Sequence, residues 1–167
     1  TAVRAEEISS PTPMQVVSST PLPIVSTDTA AIEIPAGTTF KTAVPDEYFR
    51  KFLNETFFAD KVKDDDLFTK EMLETLQEYS GVLDVRGLGI VNLKGIEYFT
   101  GITELDCSHN NLQLLDLSTL KGLKKLDVSY NSLVELTFAK EVVLERIDCS
   151  NNSLAMLNLA GFTTIEE

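Results

Sequence analysis

The stretch I-T-E-L-D-C-S-H-N-N-L, which begins at Ile102, is written twice more, as L-K-K-L-D-V-S-Y-N-S-L from Leu123 and as L-E-R-I-D-C-S-N-N-S-L from Leu144. All three copies fit the pattern L-x-x-L-x-L-x-x-N-x-L, and the spacing between successive copies is constant. A repeat of this kind, with a period of about 21 residues, is a structural unit that cannot bury its apolar side alone. The sequence therefore predicts a stack of coils in which each coil covers its neighbours.

Apolar and polar residues alternate in the first half of each copy. Because alternate side chains of a strand point to opposite faces, each copy predicts a short parallel β-strand with one buried face. A fainter first coil precedes them, in which Leu83, Val85 and Ile90 match Leu105, Cys107 and Leu112 at a constant offset. The inward positions of the three clear copies are Leu105, Cys107, Leu126, Val128, Ile147 and Cys149.

An asparagine closes each of these strands, at Asn110, Asn131 and Asn152. Its amide both donates and accepts hydrogen bonds, so it can satisfy backbone groups that would otherwise be buried without partners at the corner of the coil. We expect these residues to form a structural ladder.

Return segments behind the strands repeat as well. So short a period leaves little room for a full helix, so we expect the returns to be extended or a single turn. The repeated apolar pairs are Leu115 and Leu117, Leu136 and Phe138, and Leu157 and Leu159.

Both cysteines, Cys107 and Cys149, occupy the same strand position two coils apart. Neighbouring strands lie about 4.8 Å apart, so two coils separate these residues by roughly 10 Å. A disulfide requires Cα atoms within about 7 Å, so we expect both thiols to be reduced, buried and inert. No second pair of ligands accompanies them, and the sequence predicts neither a metal nor a cofactor.

Charge and hydrophobicity along the chain limit the kinds of molecule and membrane that it can bind or cross. The formal net charge is −12, and no segment has the basic field that phosphate backbones require, so nucleic acid is not expected as a partner. No run of about 18 apolar residues is present, so no membrane span is expected. At the start, Val3 and Ala5 have the spacing found at the end of a secretory signal peptide, which favours export.

Three segments follow from the pattern. All six prolines lie at or before position 45, so residues 1–43 are predicted to be an extended Ser/Thr/Pro-rich arm or linker. The pattern of residues 44–81 predicts a helical N-terminal cap. Pro45 and Asp46 open one helix, Thr69 caps a second and Gly81 is the expected stop. Residues 82–167 hold about four coils, the last one incomplete.

Between the two helices, Asp60 to Glu71 has the length of a calcium-binding loop. Val62 stands where an oxygen ligand is needed, and Asp65 stands where the sharp turn needs glycine. We interpret this segment as a solvated acidic loop, with weak calcium binding as the alternative.

These phrases, together with L-L-D-L-S, V-P-D-E-Y-F-R-K-F-L and L-K-G-I-E-Y-F-T, resemble the bacterial surface leucine-rich repeat proteins of internalin-like type. The resemblance is strongest to the short-period class of these proteins, which has a cysteine in the strand. It covers roughly residues 44–167. It implies an α/β solenoid, a right-handed leucine-rich repeat superhelix of parallel strands after a small α-helical cap. It also implies a secreted or cell-surface module that recognises protein or glycan on host or microbial surfaces, as in adhesion.

Outward strand positions form the concave face and are the candidate ligand-binding residues. A column of aspartates is flanked by a column of mixed charge and by a column of serines that includes Ser129, which we take for a surface hydroxyl. Mutual repulsion along the aspartates can be offset by these neighbours. The candidates are Glu104, Asp106, His109, Lys125, Asp127, Tyr130, Arg146 and Asp148. A purely repetitive, non-binding origin of the columns is the alternative.

Catalysis finds little support, since His109 is the single histidine and both cysteines point inward. We expect no enzyme. Two functions remain: a recognition module, or a structural spacer of a larger surface protein. The last coil carries no cap, so its apolar residues predict that the chain continues, or that this edge is covered by a second copy of the chain or by the proline-rich N-terminal arm. These residues are Leu154, Leu157, Leu159 and Ile165.

Overall fold

A computed structural model describes residues 32–155 of the chain. The predictions made for residues 1–31 and 156–167, including the signal-peptide end, most of the arm and the edge after Leu154, lie outside the described residues. Three helices come first and six short strands follow, with one 3₁₀ turn among them. The elements are α1 Phe40–Ala43, α2 Glu47–Phe57, α3 Lys70–Glu78, β1 Gly81–Asp84, the 3₁₀ turn Ile96–Tyr98, β2 Ile102–Asp106, β3 Leu114–Leu117, β4 Lys125–Asp127, β5 Glu135–Phe138 and β6 Arg146–Asp148.

A four-stranded parallel sheet in the order β1-β2-β4-β6 forms one side of the solenoid. Its register pairs Leu105 with Leu126 and Leu126 with Ile147, so repeat positions lie directly beside one another. Leu83 pairs with Leu105, which confirms the fainter first coil in the register predicted for it. Inward positions of the first three coils are closed to solvent, and Leu105 and Leu126 are each 2% exposed, whereas Ile147 in the last described coil is partly buried.

The return segments form the opposite side. β3 pairs in parallel with β5, which places Leu115 beside Leu136 and Leu117 beside Phe138. In the first coil the return is the single 3₁₀ turn Ile96–Tyr98. Both forms were expected from the period, because so short a coil has room for a short strand or one turn but not for a helix. The third predicted return, at Leu157 and Leu159, lies beyond the described residues.

The cap helices begin where the sequence indicates. Asp46 is the N-cap of α2, and its Oδ1 accepts hydrogen bonds from the backbone N–H groups of Tyr48 and Phe49, each at 3.0 Å. Thr69 caps α3 in the same way, accepting from Met72 N–H. These side chains satisfy N–H groups that have no partner within the helix.

Two boundaries of the cap differ from the sequence-based prediction. Helical structure starts earlier, in α1, where Phe40 is buried at 1% exposure and packs on Phe58 and Phe68. Aromatic packing therefore extends the cap upstream of residue 44. At the other end, α3 finishes at Glu78, and Gly81, with φ of +103°, opens β1 rather than closing the helix.

The acidic loop after α2 is tied to that helix. Asp64 accepts two hydrogen bonds from the Arg50 guanidinium, from Nε at 2.7 Å and from Nη2 at 3.1 Å. Asn54 holds both backbone groups of Val62. The Asp64 carboxylate and the Asn54 amide thus hold the loop in its conformation. No cluster of three or more metal-ligating side chains occurs within residues 32–155.

Cap and solenoid share one apolar core. At their joint, Oδ2 of Asp46 accepts hydrogen bonds from the backbone N–H groups of Val91, at 2.8 Å, and Asn92, at 3.1 Å, both in the first coil. Phe57 from α2 and Tyr79 after α3 pack edge-on against Phe99. One carboxylate therefore starts α2 and also binds the first coil, which fixes the cap on the solenoid.

The asparagine ladder connects adjacent coils. The Asn131 amide donates to the carbonyl oxygens of Cys107, Val128 and Ser129, and its Oδ1 accepts from Leu112 N–H. Asn110 and Asn152 repeat this pattern in the neighbouring coils. Each side chain satisfies backbone groups of its own coil and of the coil before it, as the sequence predicted.

Candidate recognition face

The outward positions of the four-stranded sheet form columns across the coils. Glu104, Lys125 and Arg146 lie in one column, which Val82 begins. The next column is made entirely of aspartates, Asp84, Asp106, Asp127 and Asp148. The columns derived from the sequence are therefore neighbours in space. We call this surface the recognition face.

Each of the later aspartates is held by a serine two residues further on. Oδ1 of Asp127 accepts from the backbone N–H of Ser129 at 2.9 Å and from its hydroxyl at 2.7 Å. Asp106 binds Ser108 through the same two contacts. Hydrogen bonding from the backbone N–H of Ser150 lowers the pKa of Asp148, so this carboxylate stays ionised.

The expectation that Ser129 offers a surface hydroxyl is wrong. Ser129 is 5% exposed and Ser108 is 4% exposed. Their hydroxyls turn toward the aspartates and leave the surface to the carboxylates. Ser108 and Ser129 therefore orient the aspartates and are not part of the contact surface, whereas Ser150 is exposed.

Three cations lie among these carboxylates. Arg86 contacts Asp84 at 2.7 Å and Asp106 at 3.4 Å. Lys125 donates to Glu104 at 2.8 Å, and this hydrogen bond raises the pKa of Lys125. Arg146 forms no salt bridge within residues 32–155. The first half of the recognition face is thus paired internally, whereas the second half keeps an unpaired arginine beside two aspartates.

Two aromatic side chains stack at the ends of the strands. The rings of His109 and Tyr130 are 4.4 Å apart between centroids and 8° from parallel. Tyr130 is 53% exposed. Sequence reasoning placed both residues at the strand ends but did not predict the stack. The constant spacing of the repeats was the signal for it, because equivalent positions of adjacent coils lie one strand spacing apart.

These aromatic residues occupy a strained backbone position. The φ angles of His109 and Tyr130 are +55° and +53°, and the equivalent Gly87 and Asn151 have +66° and +54°. Glycine and asparagine adopt this left-handed conformation readily, whereas a bulky side chain adopts it at a cost. Since Tyr130 is mostly exposed, burial does not compensate for that cost. Exposed aromatics of this kind are typical of binding surfaces.

The cysteines lie behind this face. Cys107 is fully buried, and burial raises the pKa of its thiol far above the ordinary value. Cys149 is half-buried in the last described coil, so the expectation of full burial is correct for Cys107 and wrong for Cys149. Both are free thiols, on β2 and just after β6, with β4 between those strands. The cysteine position packs the core and takes no part in the recognition face.

Comparison with known proteins agrees with this geometry. Internalin J of Listeria monocytogenes serotype 4b (strain F2365) is 35% identical over 79 residues, which are 47% of this chain and 8% of that protein. The solved functional domain of InlJ from Listeria monocytogenes, which includes a cysteine ladder, superimposes with a TM-score of 0.57 at 28% identity. The superposition covers 77% of this chain and 28% of that domain. This chain has the internalin-like leucine-rich repeat fold.

The name of the InlJ domain mentions a cysteine ladder. In this chain Cys107 and Cys149 occupy equivalent positions two coils apart, and Val128 stands between them. A second solved internalin, InlF of the same species, has a TM-score of 0.47 at 17% identity over 77% of this chain and 45% of that one. No family model matches the chain. The chain spans less than a tenth of the length of the curated relative. Within residues 32–155, no helix is long and apolar enough to cross a membrane.

The structure brings the eight predicted binding residues together on one surface. Six lie on strands β2, β4 and β6, and two form the aromatic stack at the strand ends. Arg86 was not among the predicted binding residues, although it joins two aspartates. An internalin-like fold of this type is a protein-interaction module.

Proposed function

We propose that the chain is a non-catalytic extracellular recognition module that binds a protein or glycan ligand through the recognition face, in adhesion or host interaction. The observation that best supports this function is the exposed stack of His109 on Tyr130, on the same face as a column of oriented carboxylates. Aromatic anchors with nearby charge are typical of binding hot spots. The likeness to internalins supports an exported location, at the cell surface or secreted.

The buried thiol supports a non-catalytic function. A nucleophilic cysteine needs an accessible thiolate, but Cys107 is enclosed and its pKa is raised by burial. His109 is engaged in the aromatic stack, and its sequence neighbours are the buried Ser108 and Asn110. Neither residue has the arrangement that nucleophilic catalysis requires.

A spacer is the second candidate, favoured by one observation. The part of the solved InlJ domain that this chain matches is 28% of that domain, so the matching part is one section of a longer chain there. Under this hypothesis the coils hold other domains apart and their outward columns bind nothing.

One experiment distinguishes the two functions. The labelled chain is applied to arrays of glycans and of purified host and microbial surface proteins, in parallel with Tyr130→Ala and Arg146→Glu. Recognition predicts a ligand whose binding falls by about tenfold or more in both variants. Lys121→Glu, an equal charge reversal outside the four-stranded sheet, serves as the control and keeps binding. A ligand that is indifferent to both face variants contradicts the proposal, and a spacer predicts no ligand.

A further inference from the structure

The aromatic stack occupies the two middle positions of a column that runs across the strand ends. Gly87, His109 and Tyr130 each donate their backbone N–H to a serine carbonyl oxygen of the next coil, at 3.0, 3.0 and 3.1 Å. All three have a left-handed backbone, with φ of +66°, +55° and +53°, and Asn151 has +54°. Because the backbone geometry is the same at each position, the four residues direct their Cα substituents the same way and form one column.

The first position of this column carries no side chain. Apart from the two chain neighbours of Gly87, no heavy atom would lie within 4 Å of a Cβ added there. One neighbour, Arg86, is directed to the aspartate column, where it contacts two carboxylates at 2.7 and 3.4 Å. The other, Leu88, stands where the ladder residue Asn110 stands in the next coil. The space over Gly87, which we call the ring slot, is therefore open beside His109.

One face of the His109 ring is directed to this slot. Its other face is covered by Tyr130, with ring centroids 4.4 Å apart and planes 8° from parallel. That distance is close to the ~4.8 Å between neighbouring strands, so the rings stack along the column. The imidazole is exposed, and within residues 32–155 its nitrogens form no hydrogen bond or ion pair. A ring in the slot would lie at stacking distance from it.

The column itself shows which chemical group covers an imidazole face at these positions, since a tyrosine does so one coil further on. Flat aromatic rings bury apolar surface against each other without needing hydrogen bonds. A sugar brings hydroxyl groups that need partners. The polar groups nearest in sequence are already engaged, because the Gly87 N–H is bonded to Ser108 and Arg86 is bound to aspartates. These features favour an aromatic ring.

We propose that the ring slot binds a tyrosine or tryptophan side chain of a partner protein, which stacks on His109 and continues the column. The proposal rests on the proposed function, since it names the partner group that the recognition face takes. The left-handed backbone of His109 is then part of the site, because it holds the imidazole in line with the incoming ring.

The test titrates the ¹⁵N-labelled full chain with N-acetyltryptophanamide at neutral pH and follows the ring protons of His109 by NMR. His109 is the single histidine of the chain, so these signals are unique. A stacked indole moves them upfield through its ring current, and we expect saturable upfield shifts together with a shift of the Gly87 amide.

Two other probes are titrated in parallel. N-acetylleucinamide, which is apolar but has no ring, should leave the His109 and Gly87 signals unchanged. Absence of an upfield shift with the indole probe, or equal shifts with the leucine probe, overturns the proposal. Saturable shifts with methyl α-glucoside alone would assign the slot to glycans and overturn it as well.

Filling the slot from within the chain makes the result specific. In Gly87→Tyr we expect the His109 ring protons to lie upfield without any probe, and the probe to cause no further shift. Gly37→Tyr is the matched control, because Gly37 is another exposed glycine with positive φ whose added Cβ would meet no atom within 4 Å. It lies before α1 and should leave probe binding unchanged. Equal loss in both variants would refute a defined site.

His109→Asn removes the imidazole and introduces a residue that adopts the same backbone at Asn151. This variant should fold and lose the probe-induced shift of the Gly87 amide, with thermal unfolding confirming that it is folded. Undiminished shifts in folded His109→Asn would contradict stacking on the imidazole.

The array experiment separates this inference from the proposed function. A protein ligand that is lost in Tyr130→Ala but bound equally well by Gly87→Tyr would overturn the ring slot and leave the recognition function in place. Stacking of the indole probe without any array ligand would count against the recognition function, while the capacity of the slot for an aromatic ring would stand.

Discussion

The amide group of asparagine explains why this residue occupies the corner at the end of each repeated strand. At Asn131 this group makes four contacts with backbone atoms of two coils, and the residue is 9% exposed. No apolar side chain of similar size has these donors and acceptors. Loss of the amide leaves buried carbonyl and N–H groups without partners, and such groups lower stability more than the hydrogen bonds themselves add.

Asn131→Ala should therefore lower the free energy of unfolding by ~1–3 kcal/mol. Denaturant titration with a fit of midpoint and slope measures the change. Ser132→Ala is the matched control, because Ser132 is exposed and its hydroxyl makes no hydrogen bond with the described residues. Ser129→Ala does not serve that purpose, since the Ser129 hydroxyl is buried on Asp127. Equal midpoints for Asn131→Ala and Ser132→Ala would contradict the ladder.

Thiol chemistry should separate the two cysteines. Cys107 is enclosed and Cys149 is half-buried, and burial raises the pKa of both thiols. In the native chain we expect a maleimide to label Cys149 slowly and Cys107 only after unfolding, with mass spectrometry of the intact protein as the readout. Cys149→Ser should then resist native labelling. Rapid modification of Cys107, or a mass two hydrogens below that of the dithiol, would be inconsistent with this geometry.

At the scale of elements, an ion pair between Arg50 and Asp64 joins helix α2 to the acidic loop. Arg50 is 6% exposed, and its Nη1 also donates to the carbonyl oxygens of Val44 and Pro45. Hydrogen bonding from Arg50 lowers the pKa of Asp64 below its ordinary value of 3.8. The ionised carboxylate is thus favoured by the folded state.

This pKa shift gives a pH dependence of defined sign. A carboxyl whose pKa is lowered on folding stabilises the protein above its ordinary pKa, and the stabilisation is lost as pH falls through the lowered value. Asp64→Asn should cost less than ~1 kcal/mol at pH 6, because the Asp64 side chain is 51% exposed. The difference from the wild type should shrink below about pH 4 in unfolding midpoints. Asp65→Asn is the charge-matched control, because Asp65 is a neighbouring exposed carboxylate without a hydrogen bond or salt bridge in residues 32–155.

For the whole molecule, the joint between cap and solenoid includes a close approach of two backbone segments at Gly101. A Cβ added at Gly101 would lie 2.7 Å from the carbonyl oxygen of Tyr79 and 3.1 Å from that of Gln77, just after and within α3. The equivalent residue of the next coil is Gly122, where an added Cβ would lie 3.7 Å from the nearest atom, the carbonyl oxygen of Ile102. Only the first of these glycines faces the cap.

Gly101→Ala should therefore destabilise the chain by ~1–3 kcal/mol, since the backbone of α3 must move away. Gly122→Ala should change the free energy of unfolding by less than ~1 kcal/mol. Calorimetry or denaturant titration measures both. Equal values would show that the cap does not pack rigidly on the first coil.

The repeat pattern determined the solenoid because its information is local and periodic. Leu105, Leu126 and Ile147 recur at one interval, so their pairing follows once the strands are parallel. The cap helices were predictable for a similar reason, since Asp46 and Thr69 act on N–H groups two or three residues away. The start of the cap could not be predicted in this way, because Phe40 is helical and buried only through contact with aromatic residues distant in sequence.

The sequence alone determined which side chains share the recognition face, through alternation along each strand and repetition across coils. Tertiary structure decided what those side chains do, because their roles depend on contacts between coils that no spacing specifies. Ser129 turned inward to hold Asp127, while Tyr130 accepted a left-handed backbone and stacked on His109. Arg86 joins two aspartates of adjacent coils, whereas the serine that follows Asp127 is uncharged and too short to bridge coils, and the charge that acts on Asp148 is that of Arg146.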